Sequence, residues 1–186
     1  MGRVLSQAYA VVMNSYREIN PPALNSDFES RFRSVFNVGF PTVLSPLPPT
    51  DTDPTGCMAW LDERDSRSVV YIGFGTEFSP PNDEIIAVVE ALEETKLPFL
   101  WSLNDNLRNV ILPKGFVETR ERGKVVPWTP QRQVLAHDSV RVFVTLCGYN
   151  STAESAANGV PMICRPLWAF HECEDGGESV EDWSES

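Results

Sequence analysis

The sequence is poor in the features that metal sites, nucleic-acid binding and membrane insertion require. It has only two histidines and no Cys-x-x-Cys pair, so the usual ligands of a zinc site are missing. It has 15 Lys and Arg against 26 Asp and Glu, and this net charge of −11 argues against nucleic acid or an anionic membrane as a partner. Near the start the longest apolar run, AYAVVM, is too short for a signal peptide or a membrane span.

The remaining composition is that of a globular protein of about one domain. The chain has 186 residues, of which 42% are hydrophobic and 10% aromatic. Its four cysteines, Cys57, Cys147, Cys164 and Cys173, are far apart in sequence. Widely spaced free thiols are typical of a reducing compartment, so we expect a cytoplasmic protein with unpaired cysteines.

Alternating apolar strands and amphipathic helices predict an α/β fold from residue 57 onward, with a doubly wound parallel sheet. The predicted strands are SVVYIGFG, LPFLWSL, KVVPW, VRVFVTL and VPMICRP. The predicted helices are CMAWLDER, PPNDEIIAVVEALEET, TPQRQVLAH and YNSTAESAANG. Upstream, AVVMNSY predicts a strand, and PALNSDFESRFRSVF predicts a helix with Leu24, Phe28, Phe32 and Phe36 on one stripe. Residues 40–56 carry five of the 15 prolines and indicate a linker.

Ligands of parallel α/β sheets bind at the carboxyl ends of the strands, and two loops there carry recognisable chemistry. In TLCGYNST, Gly148, Asn150 and Ser151 open a helix, whose free N–H groups could hold a diphosphate; a plain N-cap is the alternative. In VPWTPQ, Trp128 could stack on a base and Gln131 could bond a ribose, although a lone Trp is more often in a core.

Two further features are weaker as signals. Glu154 lies one turn into the helix after Asn150 and could accept two ribose hydroxyls, or it could only compensate the helix dipole. The glycine-rich GFGT stretch lacks the full Gly-x-Gly-x-x-Gly pattern, so a dinucleotide fingerprint is not supported.

Together these pieces resemble the signature box of plant UDP-dependent glycosyltransferases, in the stretch WTPQRQVLAHDSVRVFVTLCGYNSTAESAANGVPMICRP. The matching residues are Trp128, Pro130, Gln131, Leu135, His137, Phe143, Cys147, Gly148, Asn150, Ser151, Glu154, Gly159, Pro161 and Pro166. Upstream phrases such as VVMNSYREINP, GCMAWLDER and SVVYIGFGT also look like this family. Within it, the sequence is most similar to flavonoid and anthocyanidin 3-O-glucosyltransferases.

The resemblance implies an incomplete GT-B fold, in which two Rossmann-like domains flank the active site. Residues 1–39 would end the N-terminal acceptor domain, 40–56 would be the linker, and 57–169 would form most of the C-terminal domain that binds UDP-sugar. The donor would be UDP-glucose, with no further cofactor and no metal. Trp128 would stack on uracil, and Gln131 and Glu154 would hold the ribose. The UDP-sugar site would also include Thr76, Leu146, Gly148, Tyr149, Asn150 and Ser151, around the diphosphate.

Four departures from the family pattern bear on activity. Leu146 replaces the box histidine that touches the diphosphate, and Tyr149 replaces the box tryptophan. The closing Asp-Gln pair, which grips the sugar, falls on Phe170 and His171. The region with the catalytic histidine and its aspartate is not in this sequence, and His137 matches a structural position. We therefore expect a fragment, inactive alone, of an enzyme that glucosylates the 3-hydroxyl of anthocyanidins or flavonoids in anthocyanin biosynthesis.

Two alternatives remain open. A truncated paralogue could serve as a non-catalytic UDP-sugar-binding or interaction module, and an unrelated Rossmann-type nucleotide protein is a more distant possibility. The identity of the acceptor, and glucose against galactose as the sugar, stay undetermined at this point.

The tail, residues 170–186, differs from the rest of the chain. Residues 171–186 hold seven acids, no Lys or Arg, and only Cys173, Val180 and Trp183 as apolar residues. Such a segment cannot offset its ordering entropy, so we expect it to be disordered. With permitted codons, a shift of one nucleotide turns its text into MNVKMVERVWKIGVR, which resembles the family's sequence immediately after Asp-Gln. We therefore hypothesise that the chain leaves the family's reading frame near Phe170.

Overall fold

The computed structural model describes residues 8–40, 43, 45, 47, 53–75, 80–105, 112, 116 and 122–165. Its main feature is a parallel five-stranded sheet, confirming the predicted α/β class. The strands are β3 (Val69–Gly73), β4 (Phe99–Ser102), β5 (Gly123–Val126), β6 (Val140–Thr145) and β7 (Met162–Cys164), in the order β5-β4-β3-β6-β7. The helices around it are α2 (Cys57–Asp62), α3 (Asn82–Thr95), α4 (Gln131–Leu135) and α5 (Tyr149–Ala157).

Helices cover both faces of this sheet, as the doubly wound pattern predicts. Successive strand residues point to opposite faces, so Val69 and Tyr71 pack with α2 and α4, while Val70 and Ile72 pack with α3. All five residues of β3 are buried, because this strand lies in the middle of the sheet. The centre of the sheet is therefore rigid, and the loops at its carboxyl end are well supported.

The N-terminal region forms a second, smaller sheet. Strands β1 (Val11–Met13) and β2 (Val35–Asn37) pair in parallel, and helix α1 (Pro22–Arg31) connects them after a 3₁₀ turn at Arg17–Ile19. The prediction of one long helical stripe is wrong at its end, because α1 stops at Arg31 and Phe36 lies on β2, 55% exposed. Four-residue spacing of phenylalanines does not separate a helix from a helix followed by a strand.

The end of the predicted linker is structured. Gly56, at φ 63°, turns the chain into α2, and the carboxylate of Asp53 accepts hydrogen bonds from the backbone N–H groups of Cys57 (3.1 Å) and Met58 (2.7 Å). Partial burial raises the pKa of Asp53, but these bonds and the side chains of Cys57 and Thr55 outweigh it and lower the pKa overall. Asp53 thus satisfies the free amides of the first turn of α2.

The expectation that all cysteines are free is wrong for two of them. Cys147, just after β6, is joined by a disulfide to Cys164 at the end of β7, with Cα atoms 5.6 Å apart. Parallel pairing of Thr145 with Cys164 brings the two thiols together, which their separation in sequence conceals. Cys57 is free and buried, and its pKa is raised to about 11, chiefly by burial. The wide spacing of the cysteines in the sequence therefore does not support the expectation of a reducing compartment.

Within the described ranges, no helix is both long enough and apolar enough to cross a membrane. The predicted tail, residues 170–186, lies outside the described residues.

Candidate functional site

A cavity of about 570 Å³ lies at the carboxyl ends of the central strands. This is the edge of the sheet where parallel α/β folds bind ligands. The cavity is lined by Pro54, Tyr71, Gly73, Gly75, Ser102, Trp128, Thr129, Pro130, Gln131, Arg132, Gln133, Ser151 and Glu154. These residues come from the segment before α2, from β3 and the residues after it, from β4, from the loop after β5, and from helices α4 and α5.

Trp128 follows β5 at the mouth of this cavity. Its side chain is 51% exposed, unlike the core tryptophan Trp101, which is fully buried. A half-exposed indole on a cavity wall offers a flat face to a planar ring. The sequence left open whether Trp128 is a core residue or a residue that stacks on a base. Its exposure shows that it is not in the core.

Gln131, Ser151 and Glu154 converge inside the cavity although they lie on two helices. The side-chain amide of Gln131 donates from Nε2 to Oγ of Ser151 (3.0 Å) and to Oε2 of Glu154 (2.9 Å). Glu154 is 8% exposed. Among the described residues, no hydrogen bond involves its other oxygen, Oε1. The result is a buried, oriented carboxylate facing a cavity, an arrangement suited to hydroxyl groups.

Two further residues line the floor and escaped the sequence analysis. The hydroxyl of Tyr71 lies 2.7 Å from Oγ1 of Thr129 and donates to Oε1 of Gln131 at 3.4 Å. Thr129 sits between two predicted site residues, so its neighbours could have suggested it. Tyr71 lies within a buried strand, and no sequence pattern marks one core tyrosine as part of a site.

Gly148, Tyr149 and Asn150 are predicted site residues that are not among the residues lining this cavity. Gly148 precedes α5, which is not capped by a side chain there, and its carbonyl accepts from Thr152 N–H. The ring of Tyr149 contacts that of Phe40 at a tilted angle, with centroids 5.0 Å apart, and Oδ1 of Asn150 accepts from Asn14 at 3.0 Å.

Leu146 packs against the apolar cluster on the α3 side of the sheet. Thr76 lies outside the described residues, although Gly75 before it lines the cavity at φ 81°.

Among the described residues that line the cavity, the ionisable ones are Tyr71, Arg132 and Glu154. Burial raises the pKa of Tyr71 far above its ordinary value, so its hydroxyl stays neutral near pH 7. His137 is elsewhere, with its ring nitrogens 2.8 Å from Ser139 Oγ and 3.1 Å from Asp62 Oδ1. The described part of the cavity offers a flat aromatic face and an oriented carboxylate, groups suited to a base and a sugar ring.

Comparisons with known proteins show which family the chain resembles. The family model described as UDP-glucoronosyl and UDP-glucosyl transferase matches residues 7–181. An anthocyanidin 3-O-galactosyltransferase from Rhododendron delavayi is 51% identical over 179 residues, covering 92% of this chain and 38% of the relative. An anthocyanidin 3-O-glucosyltransferase from Vitis vinifera is 49% identical over 183 residues, covering 98% of this chain and 39% of the relative.

Solved structures of glycosyltransferases are also similar to this chain. A UDP-glucose: anthocyanidin 3-O-glucosyltransferase in complex with UDP superimposes with a TM-score of 0.67 at 50% identity, covering 88% of this chain and 36% of that protein. A Phytolacca americana glycosyltransferase, solved with UDP-2-fluoro-glucose and pterostilbene, gives 0.63 at 33% identity, covering 88% of this chain and 35% of that protein. The chain thus spans well under half the length of these relatives.

Proposed function

Because the chain belongs to the UDP-glucoronosyl and UDP-glucosyl transferase family, we propose that its cavity binds the UDP part of a UDP-sugar donor. The observation that carries this proposal is the convergence of Trp128, Gln131 and Glu154 in one cavity. Uracil stacks on the exposed face of Trp128. The ribose hydroxyls donate to the carboxylate of Glu154, which Gln131 holds in place.

The diphosphate extends from the ribose toward the start of α5. Ser151 lies on the cavity wall in the first turn of that helix, and the free N–H groups there favour an anion. Gly148 and Asn150 lie at the same helix end, and Thr76 follows Gly75 at the exit of β3. We assign these residues to the diphosphate together with Leu146 and Tyr149, as the family resemblance implies.

The reaction of the whole protein is proposed to be an inverting transfer of a hexose to the 3-hydroxyl of an anthocyanidin or flavonol. Relatives of both glucosyl and galactosyl specificity match at about the same identity, so the sugar is proposed only as a hexose. The acceptor oxygen attacks the anomeric carbon as it loses its proton, and UDP leaves with the bonding electrons. In this scheme the described residues stabilise the leaving UDP, and they supply no base for the acceptor.

Calorimetry on the 186-residue chain tests the proposal. We expect UDP to bind, and GDP to bind more weakly because a purine does not fit the same stack and ribose geometry together. Glu154→Gln should weaken UDP binding about ten- to a hundredfold, since a hydrogen bond to a charged group is worth about 1.5–3 kcal/mol. Glu90→Gln, on the exposed face of α3, is the matched control and should bind like the unmodified chain. Equal binding of UDP by all three proteins would contradict the assignment.

A further inference from the structure

Tyr71 is a core residue whose hydroxyl reaches the binding cavity. The residue is 1% exposed, and its ring stacks on that of Phe143 with centroids 4.7 Å apart, because the two residues are register partners on β3 and β6. Gly73 lies two residues further on the same strand face. A Cβ there would come within 3.2 Å of the Tyr71 hydroxyl oxygen, so the glycine leaves that hydroxyl open to the cavity.

The Tyr71 hydroxyl links Thr129 to Gln131. It lies 2.7 Å from Oγ1 of Thr129, where either oxygen can be the donor, and it donates to Oε1 of Gln131 at 3.4 Å. Gln131 in turn donates from Nε2 to Glu154. A line of hydrogen bonds therefore joins Thr129 and Tyr71 to the carboxylate of Glu154.

The contact with Tyr71 matters because the side-chain amide of Gln131 can rotate by 180° and exchange the positions of its oxygen and nitrogen. A flipped Gln131 would present its carbonyl oxygen to the carboxylate of Glu154 and its NH₂ group to the Tyr71 hydroxyl. The carboxylate of Glu154, which can only accept, disfavours that flip. The Tyr71 hydroxyl, kept neutral by burial that raises its pKa, donates to Oε1 and adds a second contact that holds the unflipped amide in place. Without the hydroxyl, the bonds that the described residues make to this amide would be those to Ser151 and Glu154.

We propose that Tyr71 is a positioning residue, which acts through Gln131 to orient the Glu154 carboxylate toward the two ribose hydroxyls of the nucleotide. The inference rests on the proposed function, because it assigns the ribose to Glu154. It adds a residue whose contribution passes through its hydrogen bond to Gln131. A purely structural role for Tyr71 would instead be carried by its ring, which stacks on Phe143.

The variant Tyr71→Phe separates these two roles, because it removes the hydroxyl and keeps the ring. Calorimetry compares UDP with 2′,3′-dideoxy-UDP, which lacks both ribose hydroxyls. We expect Tyr71→Phe to weaken UDP binding about three- to tenfold, as for one neutral hydrogen bond, and to change binding of the dideoxy ligand less than twofold. Tyr9→Phe removes the same atom from a tyrosine that is 69% exposed, and it should change neither ligand.

Each result has a separate meaning. Equal losses for both ligands, or no loss for UDP, would overturn the role of Tyr71 and leave the proposed function intact. Failure of the unmodified chain to bind UDP would overturn the proposed function, and this inference with it. If Tyr71→Phe does not fold, by circular dichroism, Thr129→Val removes the bond that holds the hydroxyl in place. The same contrast between the ligands is expected, and its absence would overturn the proposal.

Discussion

At the scale of single residues, burial decides which sequence interpretation of an aromatic side chain is correct. Trp101 is fully buried and stays in the core, whereas Trp128 is half-exposed on a cavity wall. The motif around Trp128 marked it as a candidate, but exposure could not be read from the motif alone. Tyr71 shows the opposite case. Its pattern is that of an ordinary buried strand, and only the packing of β3 against the loop after β5 brings its hydroxyl to Gln131.

Trp128→Ala should weaken UDP binding about ten- to a hundredfold, because stacking of a base on an aromatic ring is worth about 1–3 kcal/mol. The half-exposed side chain contributes little to the core, so the midpoint of thermal unfolding should stay nearly constant. Calorimetry and a thermal melt on the same samples measure both quantities. Trp128→Phe retains a ring and should lose less affinity. If the alanine variant binds UDP as well as the unmodified chain, Trp128 is not part of the site.

At the scale of helices and strands, the sequence predicts the elements whose apolar residues recur with a clear period. It misses boundaries that contacts with distant parts of the chain decide. The helix at Asn82–Thr95 and the strand at Val140–Thr145 follow their predicted patterns, because burial on one or both faces fixes the spacing of apolar residues. The end of α1 and the start of β2 are not predicted, because Phe32 and Phe36 fit a helical stripe. Pairing with β1 instead places Phe36 in a strand.

Helix α2 begins at Cys57, where the sequence predicts it, and the residue that caps this start can be tested directly. Asp53→Ala removes the acceptor for the backbone N–H groups of Cys57 and Met58. The free energy of unfolding at pH 7 should fall by about 1 kcal/mol, the usual cost of losing such a cap. Denaturant unfolding followed by circular dichroism measures this change.

The pH dependence of that loss follows from the lowered pKa of Asp53. A carboxyl with a lowered folded-state pKa stabilises the fold above its unfolded pKa of about 3.9, and this contribution disappears as the pH falls through the folded value. The difference between Asp53→Ala and the unmodified chain should therefore shrink below about pH 4. Asp65→Ala, at an exposed position between α2 and β3, is the control and should show no such dependence. A constant difference across this range would contradict the capping role.

At the scale of the whole molecule, binding and transfer are expected to separate. Among the described lining residues, the ionisable groups are a neutral buried tyrosine, an arginine, and a carboxylate bound by Gln131. In the proposed scheme these groups hold the nucleotide, and a positioned base for the acceptor typically supplies about 10²–10⁴-fold in rate.

We therefore expect the 186-residue chain to form no product from UDP-glucose with cyanidin or quercetin above a control without protein. Chromatography of the reaction mixture detects the glucoside, and calorimetry with UDP on the same preparation shows that the site is folded. Clear turnover would mean that a base exists among the residues that the cavity lining does not include.

The reading frame that encodes the acidic tail can be tested at the level of the transcript. Residues 171–186 carry seven acids and no Lys or Arg, whereas the same nucleotides, shifted by one, permit MNVKMVERVWKIGVR, with apolar residues at helical spacing. The family model matches as far as residue 181, which lies inside this tail. A tail that belongs to the family in its own reading frame would give the same match. Sequencing the transcript through the codon of Phe170 decides between the two. If the shifted frame encodes this helix-like sequence, the reading frame changes at Phe170 and His171. These two residues then carry no information about sugar specificity. If the codons do not permit it, the hypothesis fails, and the loss of the Asp-Gln pair belongs to the protein itself.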